Sequence, residues 1–550
     1  MKSPAILFLS VLALAAPQFA QSQVKGRAFG SPLAHSLYTR ASTAEVDPRV
    51  KPGALTRDVN TRLSTAEMDP QTKPGAPAAA PAAVDFDRYF VDQTMRLDYF
   101  HIGNAKEELV TLDQVHIQGL WAGSRKNLLD DFDNGRYYVK VYDLDSGKLI
   151  FSRGFDATFG EYQTTDAALK GIKRTYHESA LIPCPQKKIK FTVEGRDRQY
   201  AFHPLFSCEI DPAALTVLRK PVSGGVKVFE LLKSGDPHRK VDVAFIAEGY
   251  TLKEEAKLRA DLERFVQVFF KQEPYKSLKD RFNLYGVWKP SDESGCDEPG
   301  HGSFKATAVG ATFDSLGSER YVLTEDNKSL RDIAAHVPYD ALFIMINHKR
   351  YGGGGIYNLY CTFTVDNQWY EYLFLHELGH SFAGLADEYY TSDVAYNEFY
   401  PKGVEPREAN ITALLDPKAL KWKASASPGI AVPTPWEKDE FDRNDLAYQK
   451  VRREINAKIA SMKRSGAPAA EVAKVEEESE RKSREQAEWV DRFLAQSKFA
   501  GRIGAFEGAG YAAKGLYRPA VDCLMFTKGA KPFCKICEEA VRRRIQFFSE

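Results

Sequence analysis

The sequence predicts an α+β chain of more than one domain: an N-terminal antiparallel β-sandwich, then an α/β domain carrying a helical-hairpin insertion. Three observations carry this expectation. The chain has 550 residues, more than one ordinary domain holds. Residues 85–222 read as short alternating runs broken by turn signals, without a long helix. From residue 223 onward, short apolar runs alternate with amphipathic helical stretches, as in a domain of mixed strands and helices. Hydrophobic residues make up 43% and charged residues 27%, so most of the chain can bury a core. A net charge of +1 gives no electrostatic case for a nucleic-acid partner.

Taken in order, residues 1–20 read as a signal peptide. One Lys precedes the apolar run "AILFLSVLALAA", and small residues follow, placing cleavage between Ala16 and Ala20. The run is shorter than the roughly 20 residues of a membrane span, and no later stretch is longer. A secreted or periplasmic protein without stable membrane insertion is therefore expected. Residues 21–84 are rich in Pro and Ala and hold a two-copy repeat, "STAEVDPRVKPGA" and "STAEMDPQTKPGA". Such a segment buries too little apolar surface to offset the entropy of ordering it, so it reads as a disordered linker.

In the 85–222 module, "YYVKVYDLDSGKLIFSRGF" is a hairpin around Asp145-Ser146-Gly147, and "KKIKFTVEGRDRQYAFHPLFSCEI" repeats the pattern. The second domain, 223–550, opens with the buried strand "KVDVAFIAEGYT", a helix from Leu252 to about Gln272, and the strand "RFNLYGVWK". A further buried strand is "DALFIMINH". Gly352 to Gly355 lack the GK[ST] ending of a phosphate loop and read as a flexible turn before a strand over Ile356–Val365. Residues 439–495 form a charged helical hairpin broken at Gly466 and Pro468, with Val451, Ile455, Ile459 and Met462 on one face. Its charges read as a solvated face, and the hairpin reads as an insertion.

The chemistry concentrates in "FLHELGHSFAGLADEYY", residues 374–390. His376 and His380 are four apart on an apolar helix that Gly384 can terminate, so both imidazoles share one face and can bind one zinc ion. Glu377, one residue along, can reach a water on that ion without competing for it, take its proton and pass a proton to a leaving amine. Metzincins carry HExxHxxGxxH. Here the glycine comes one residue later, Ala386 falls at the usual third-ligand position, and Asp387 stands three residues after Gly384. Asp387 is the first candidate third ligand, Glu388 the second, and a distant His or Glu the third. Downstream, Met525 follows a turn-forming stretch and fits a methionine turn beneath the metal, while Tyr517 is a candidate donor to the oxyanion. Seven cysteines leave at least one thiol unpaired. Cys184 and Cys208 could bridge. Among Cys523, Cys534 and Cys537, an exported chain favours a disulfide over a zinc knuckle.

"HELGHSFAGLADEYY", with "VAFIAEGYT", "SDESGCDEP", "TMRLDYFHIGN" and "YRPAVDCLM", resembles the IgA-peptidase family of zinc metallopeptidases over residues 85–435 and 500–548. The resemblance implies a β-sandwich followed by a metzincin-like catalytic domain, with His376, His380 and Asp387 as ligands of one catalytic zinc and Glu377 as base. The expected function is a secreted zinc endopeptidase acting on a protein or peptide. The alternatives are a zinc amidase acting on other amides, and a non-catalytic protein- or glycan-binding protein. By analogy with metzincin-like folds, the strand Ile356–Val365 is expected to be the exposed edge that pairs with substrate.

Overall fold

The computed structural model describes residues 83–220, 224–391 and 396–549. The expected signal peptide and nearly all of the expected linker lie outside these residues. Residues Ala80–Glu550 form one compact unit.

After a single helical turn, α1 (Phe86–Tyr89), the chain builds two antiparallel sheets from seven strands: β1 (Phe90–Gly103), β2 (Glu108–Gln118), β3 (Tyr137–Asp143), β4 (Leu149–Phe155), β5 (Arg174–Pro185), β6 (Ile189–Arg196) and β7 (Phe202–Ile210). The first sheet runs β2-β1-β5 and the second β4-β3-β6-β7. Period-two alternation makes this possible. Met95, Leu97 and Tyr99 of β1 and Ile182 of β5 point inward from one sheet and meet Val141, Phe151, Phe191 and Val193 of the other in a single core. Leu97 sits opposite Val115 on one side and Ala180 on the other, which fixes the register of all three strands. Short helices α2 (Thr158–Tyr162) and α3 (Asp166–Leu169) fill the β4–β5 connection.

The second part is built on a six-stranded mixed sheet. Its strands are β8 (Lys227–Leu232), β9 (Val241–Glu248), β10 (Phe282–Trp288), β13 (Ala341–Ile346), β14 (Gly353–Ile356) and β15 (Tyr360–Thr364). A small pair, β11 (Ala311–Thr312) and β12 (Leu323–Thr324), lies between β10 and β13 in sequence. The order is β14-β15-β13-β9-β10-β8, with β15, β13, β9 and β10 parallel and an antiparallel strand at each edge. Every residue of β9 is buried, as expected of a parallel strand covered on both faces. Val243, Phe245 and Ala247 face α4 (Glu255–Phe269) and α6 (Tyr370–Ala383). Ala244 and Ile246 face α5 (Asn327–Ala334).

Two 27-residue helices, α7 (Lys438–Arg464) and α8 (Ala469–Ala495), then pair along a seam of Ile459, Val472 and Val475. Their other ends join the main core through Phe441, Val490 and Leu494. The hairpin β16 (Phe506–Ala509) and β17 (Ala512–Arg518) precedes α9 (Lys535–Phe548), which packs against α6 through Ile545 and Phe548. No helix among the described residues is long and apolar enough to cross a membrane.

Two expectations are corrected by this topology. The segment Ile356–Val365 is not one exposed edge strand. Tyr360–Thr364 is fully buried between β13 and β14, so Tyr360 and Thr362 lie inside the sheet. The edge strand is the glycine run itself, β14, which lacks the side-chain alternation that marks a strand. The second correction concerns sulfur. All seven cysteines are free, Cys184 and Cys208 included. Of the C-terminal three, Cys523 and Cys537 have their sulfurs 3.7 Å apart, against about 2.05 Å for a bond.

Candidate metal centre and cleft

Helix α6 carries the donors. It is apolar on nearly all sides because it lies between the sheet and α9, burying Leu373, Phe374, Leu378 and Phe382. It ends at Gly384, whose φ of +61° is left-handed, a conformation that favours glycine. A Cβ there would lie 2.1 Å from Asn134 Nδ2 and 3.0 Å from the Tyr357 ring. The chain then turns sharply, and Leu385 N–H donates back to Gly379 O at 3.1 Å.

That turn brings Asp387 to the two histidines. Asp387 Oδ1 is 3.0 Å from His376 Nε2 and 3.1 Å from His380 Nε2, and the two Nε2 atoms are 3.1 Å apart. Three donors so close fit one small ion: bonds of about 2.0–2.1 Å in tetrahedral geometry set donors about 3.3 Å from each other. The donor set, two imidazoles and a carboxylate, is one zinc accepts. Each donor is held from behind, as metal ligands characteristically are. His376 Nδ1–H donates to Leu524 O at 3.2 Å, and His380 Nδ1–H donates to Leu385 O at 2.6 Å. Tyr511 OH donates to Asp387 Oδ2 at 2.6 Å. Between the protein groups themselves, burial would lower the His380 imidazole, but the Asp387 carboxylate beside it raises it to about 9. Burial would raise Asp387, and the two histidines hold it well below the carboxylate range instead. An ion bound here would displace such protons.

Glu377 is buried and lines the same cleft. Burial pushes its carboxyl up, against the pull of His376 and His380. It packs toward β14: a Cβ on Gly353 would lie 3.1 Å from Glu377 Cγ, and one on Gly355 would lie 2.4 Å from Glu377 O and 2.8 Å from His380 Cβ. The glycines therefore let the edge strand lie directly against the donor helix. Beneath the site, Met525 is fully buried, and a Cβ on Gly379 would meet its Sδ at 2.8 Å. Met525 O accepts from Glu388 N–H at 2.9 Å.

Glu388, the second candidate ligand, turns the other way. It is fully buried, with Oε1 accepting from Asn410 Nδ2 at 3.0 Å. Tyr517 is not brought to the histidines. It lies on β17, paired through its backbone with Thr412 and packed with the Leu420 and Trp422 cluster, away from the cleft. The aromatic hydroxyls that do line the cleft include Tyr389 and Tyr511. Tyr389 OH accepts from Arg320 Nη2 at 3.2 Å, and its ring stacks on His376 at 6.2 Å between centroids. Tyr511 sits at the tip of the β16–β17 hairpin at φ +64°, rare for a bulky residue. The tip is pinned by Gly510 N–H to Asp387 O and Tyr511 N–H to Tyr389 O. Nothing in the spacing around Tyr511 marks it; only the fold brings it in.

The cleft encloses about 540 Å³. One wall is the part built on the six-stranded sheet, with Gly353–Tyr357, Tyr396 and Tyr400. The other comes from the β-sandwich, with Asn134, Arg136, Glu161, Arg196 and Tyr200. Asn134 Nδ2 donates to Gly384 O at 3.2 Å, tying that wall to the turn after the donor helix.

A buried HExxH helix whose two histidines meet a carboxylate at the floor of a cleft is the arrangement of a metallopeptidase. Comparison with known families makes the assignment specific. The IgA Peptidase M64 family model matches residues 229–545, and the Peptidase M64 N-terminus model matches residues 85–207. The chain belongs to the IgA peptidase M64 family, as the resemblance in its sequence implied. No curated protein matches it.

Proposed function

We propose that this protein is a zinc-dependent endopeptidase, exported by its N-terminal segment, that cleaves a peptide laid in the cleft between its two parts. The observation that carries the reading is the set of three donor atoms 3.0–3.1 Å apart with Glu377 one residue along the same helix. His376, His380 and Asp387 hold the zinc. The ion supplies Lewis-acid activation at the scissile bond. Glu377 takes the proton of the attacking water and returns it to the leaving amine. Its buried position against β14 keeps bulk water from competing for that proton. Tyr389 and Arg320 face the negative charge that develops on the carbonyl oxygen, the role for which Tyr517 is out of place.

Substrate alignment falls to β14. Gly352 O accepts from Thr364 N–H within the sheet, so Gly353 and Gly355, of opposite parity, turn their backbone groups outward. Gly353 is already paired with Arg320 and Val322. Gly355 presents the next outward N–H and C=O to an extended peptide. Residues 439–495 are read as an insertion on the catalytic domain 223–550, and residues 85–222 as a separate sandwich module.

The test compares wild type with Glu377→Ala and with His376→Ala/His380→Ala. Glu377→Ala is expected to keep the wild-type zinc content and lose cleavage of an unbiased peptide library by about 10²–10⁴-fold. The double-histidine variant is expected to lose one zinc equivalent. Full cleavage by Glu377→Ala, or unchanged zinc in the double variant, sinks the reading.

A further inference from the structure

A second group of metal-type donors lies behind the first. Cys523, Cys534, Cys537 and Glu388 each place one ligand atom within 4.8 Å of the others. They come from three separate segments. Glu388 follows Asp387, Cys523 lies two residues before Met525, and Cys534 and Cys537 open α9. Cys523, Cys537 and Glu388 are buried, and Cys534 is partly so. None of the four lines the substrate cleft.

The geometry suits an ion better than a disulfide. The 3.7 Å between Cys523 Sγ and Cys537 Sγ is the edge of a tetrahedron, about 3.8 Å, when each sulfur is about 2.3 Å from zinc. Cys537 Sγ is 3.2 Å from Glu388 Oε1. Cys534 N–H donates to Cys523 Sγ at 3.2 Å, a donor that stabilises a thiolate. Glu388 is oriented from behind by Asn410, which is itself fixed by two hydrogen bonds to the Ala386 backbone. Its other oxygen, Oε2, is buried with no hydrogen-bond partner. A buried carboxylate oxygen left without a partner is costly, and this carboxylate belongs to the cluster of three thiols.

Charge points the same way. Three thiolates and a carboxylate cannot be buried together alone. A divalent cation and the buried Arg518, which interacts with Glu388, offset all but one of those charges. The N-terminus of α9, at Cys534, faces the remainder.

We propose that Cys523, Cys534, Cys537 and Glu388 bind a second, structural zinc ion. Four protein donors close its coordination shell, leaving no open position for a substrate. The ion joins the segment bearing Asp387, the segment bearing Leu524 and Met525, and α9. It thereby fixes both the third donor of the first site and the carbonyl that holds His376. CxxC with a third Cys eleven residues upstream is a weak signal in sequence; Glu388, 135 residues before Cys523, is the part only the fold supplies.

The experiment measures zinc per chain by elemental analysis on the full-length protein, with intact mass after denaturation in chelator and alkylation. Wild type is expected to hold two equivalents, and His376→Ala/His380→Ala one. That remaining ion should be released, and detected by a chromogenic chelator, when a mercurial titrates the thiols. All seven cysteines should alkylate without reductant. Cys534→Ser/Cys537→Ser should lose one equivalent, but the double-histidine variant carries the test if the serine variant does not fold. One equivalent in wild type with none in the double-histidine variant overturns the proposal. So does an intact mass with two of Cys523, Cys534 and Cys537 joined in a disulfide. One equivalent in both proteins would uphold the cysteine site and overturn the histidine site instead.

Discussion

Asp387 is held by both of its oxygens, one toward the two imidazoles and the other by Tyr511. The second contact decides how well the first is aimed. A carboxylate free to rotate would meet the ion in several geometries, and outer partners of this kind typically contribute 10–100-fold to metal affinity. Tyr511→Phe removes only the hydroxyl and keeps the ring that packs against Tyr389 and Tyr400. It is expected to weaken zinc binding at the histidine site by about 10–100-fold, read by competition with a chelator, with little change in melting temperature. Unchanged affinity would mean that Asp387 needs no such support. Tyr389 makes a different prediction. Its hydroxyl accepts from Arg320 and lies beside the Asp387 carboxylate, at the edge of the cleft. Tyr389→Phe is expected to lower kcat while KM and zinc content stay near wild type. A rise in KM alone would assign Tyr389 to binding.

At the scale of elements, the site depends on how closely β14 lies against α6. Gly355→Ala would place a methyl group 2.4 Å from Glu377 O and 2.8 Å from His380 Cβ. Neither can retreat, because one is helix backbone and the other carries a donor. The variant is expected to lose about 1–3 kcal/mol of stability, measured by denaturant unfolding, together with zinc affinity. Gly403→Ala, where a Cβ meets nothing within 4 Å but φ is +74°, is the control for backbone strain alone. The same pair of elements explains what the sequence made legible. Helix α6 announces itself through its apolar run, its histidine spacing and its terminal glycine, all local signals. Strand β14 does not, because its three glycines have no side chains to alternate, and their meaning lies in the helix they touch. Asp387 and Glu388 are adjacent and chemically alike, so spacing can rank them but only the turn at Gly384 separates them. One enters the cleft, and the other enters the cysteine cluster. Tyr517 was the nearer tyrosine to Met525 in sequence, yet the hairpin carries Tyr511 to the site at its tip.

Across the whole unit, the sandwich supplies one wall of the cleft, so its stability is also the stability of the site. One of its buried ionic positions is His101, on β1. Nδ1 lies 3.0 Å from Glu178 and Nε2 2.7 Å from Glu108, and the ring stacks on Phe159 at 4.1 Å. Burial alone would lower its pKa. The carboxylates of Glu178 and Glu108 outweigh that and raise it to about 9. The unfolded chain titrates near 6.5, so between these values the folded state holds a proton that the unfolded state has lost. Stability from this group is therefore complete below about pH 6.5 and fades as pH rises through about 9. The shift corresponds to about 3 kcal/mol. Denaturant unfolding of wild type should accordingly show a fall of that order between pH 6 and pH 10. His101→Gln can still hydrogen-bond one carboxylate but cannot titrate, so it is expected to be less stable at pH 6 and to approach wild type at pH 10. In excess chelator His380, also raised to about 9 beside Asp387, adds the same fall to both proteins, so the difference between the two curves isolates His101. A wild-type curve that stays level across this range, or a variant that falls in parallel with it, would show that His101 is buried neutral. Its two carboxylates would then have to share a proton of their own.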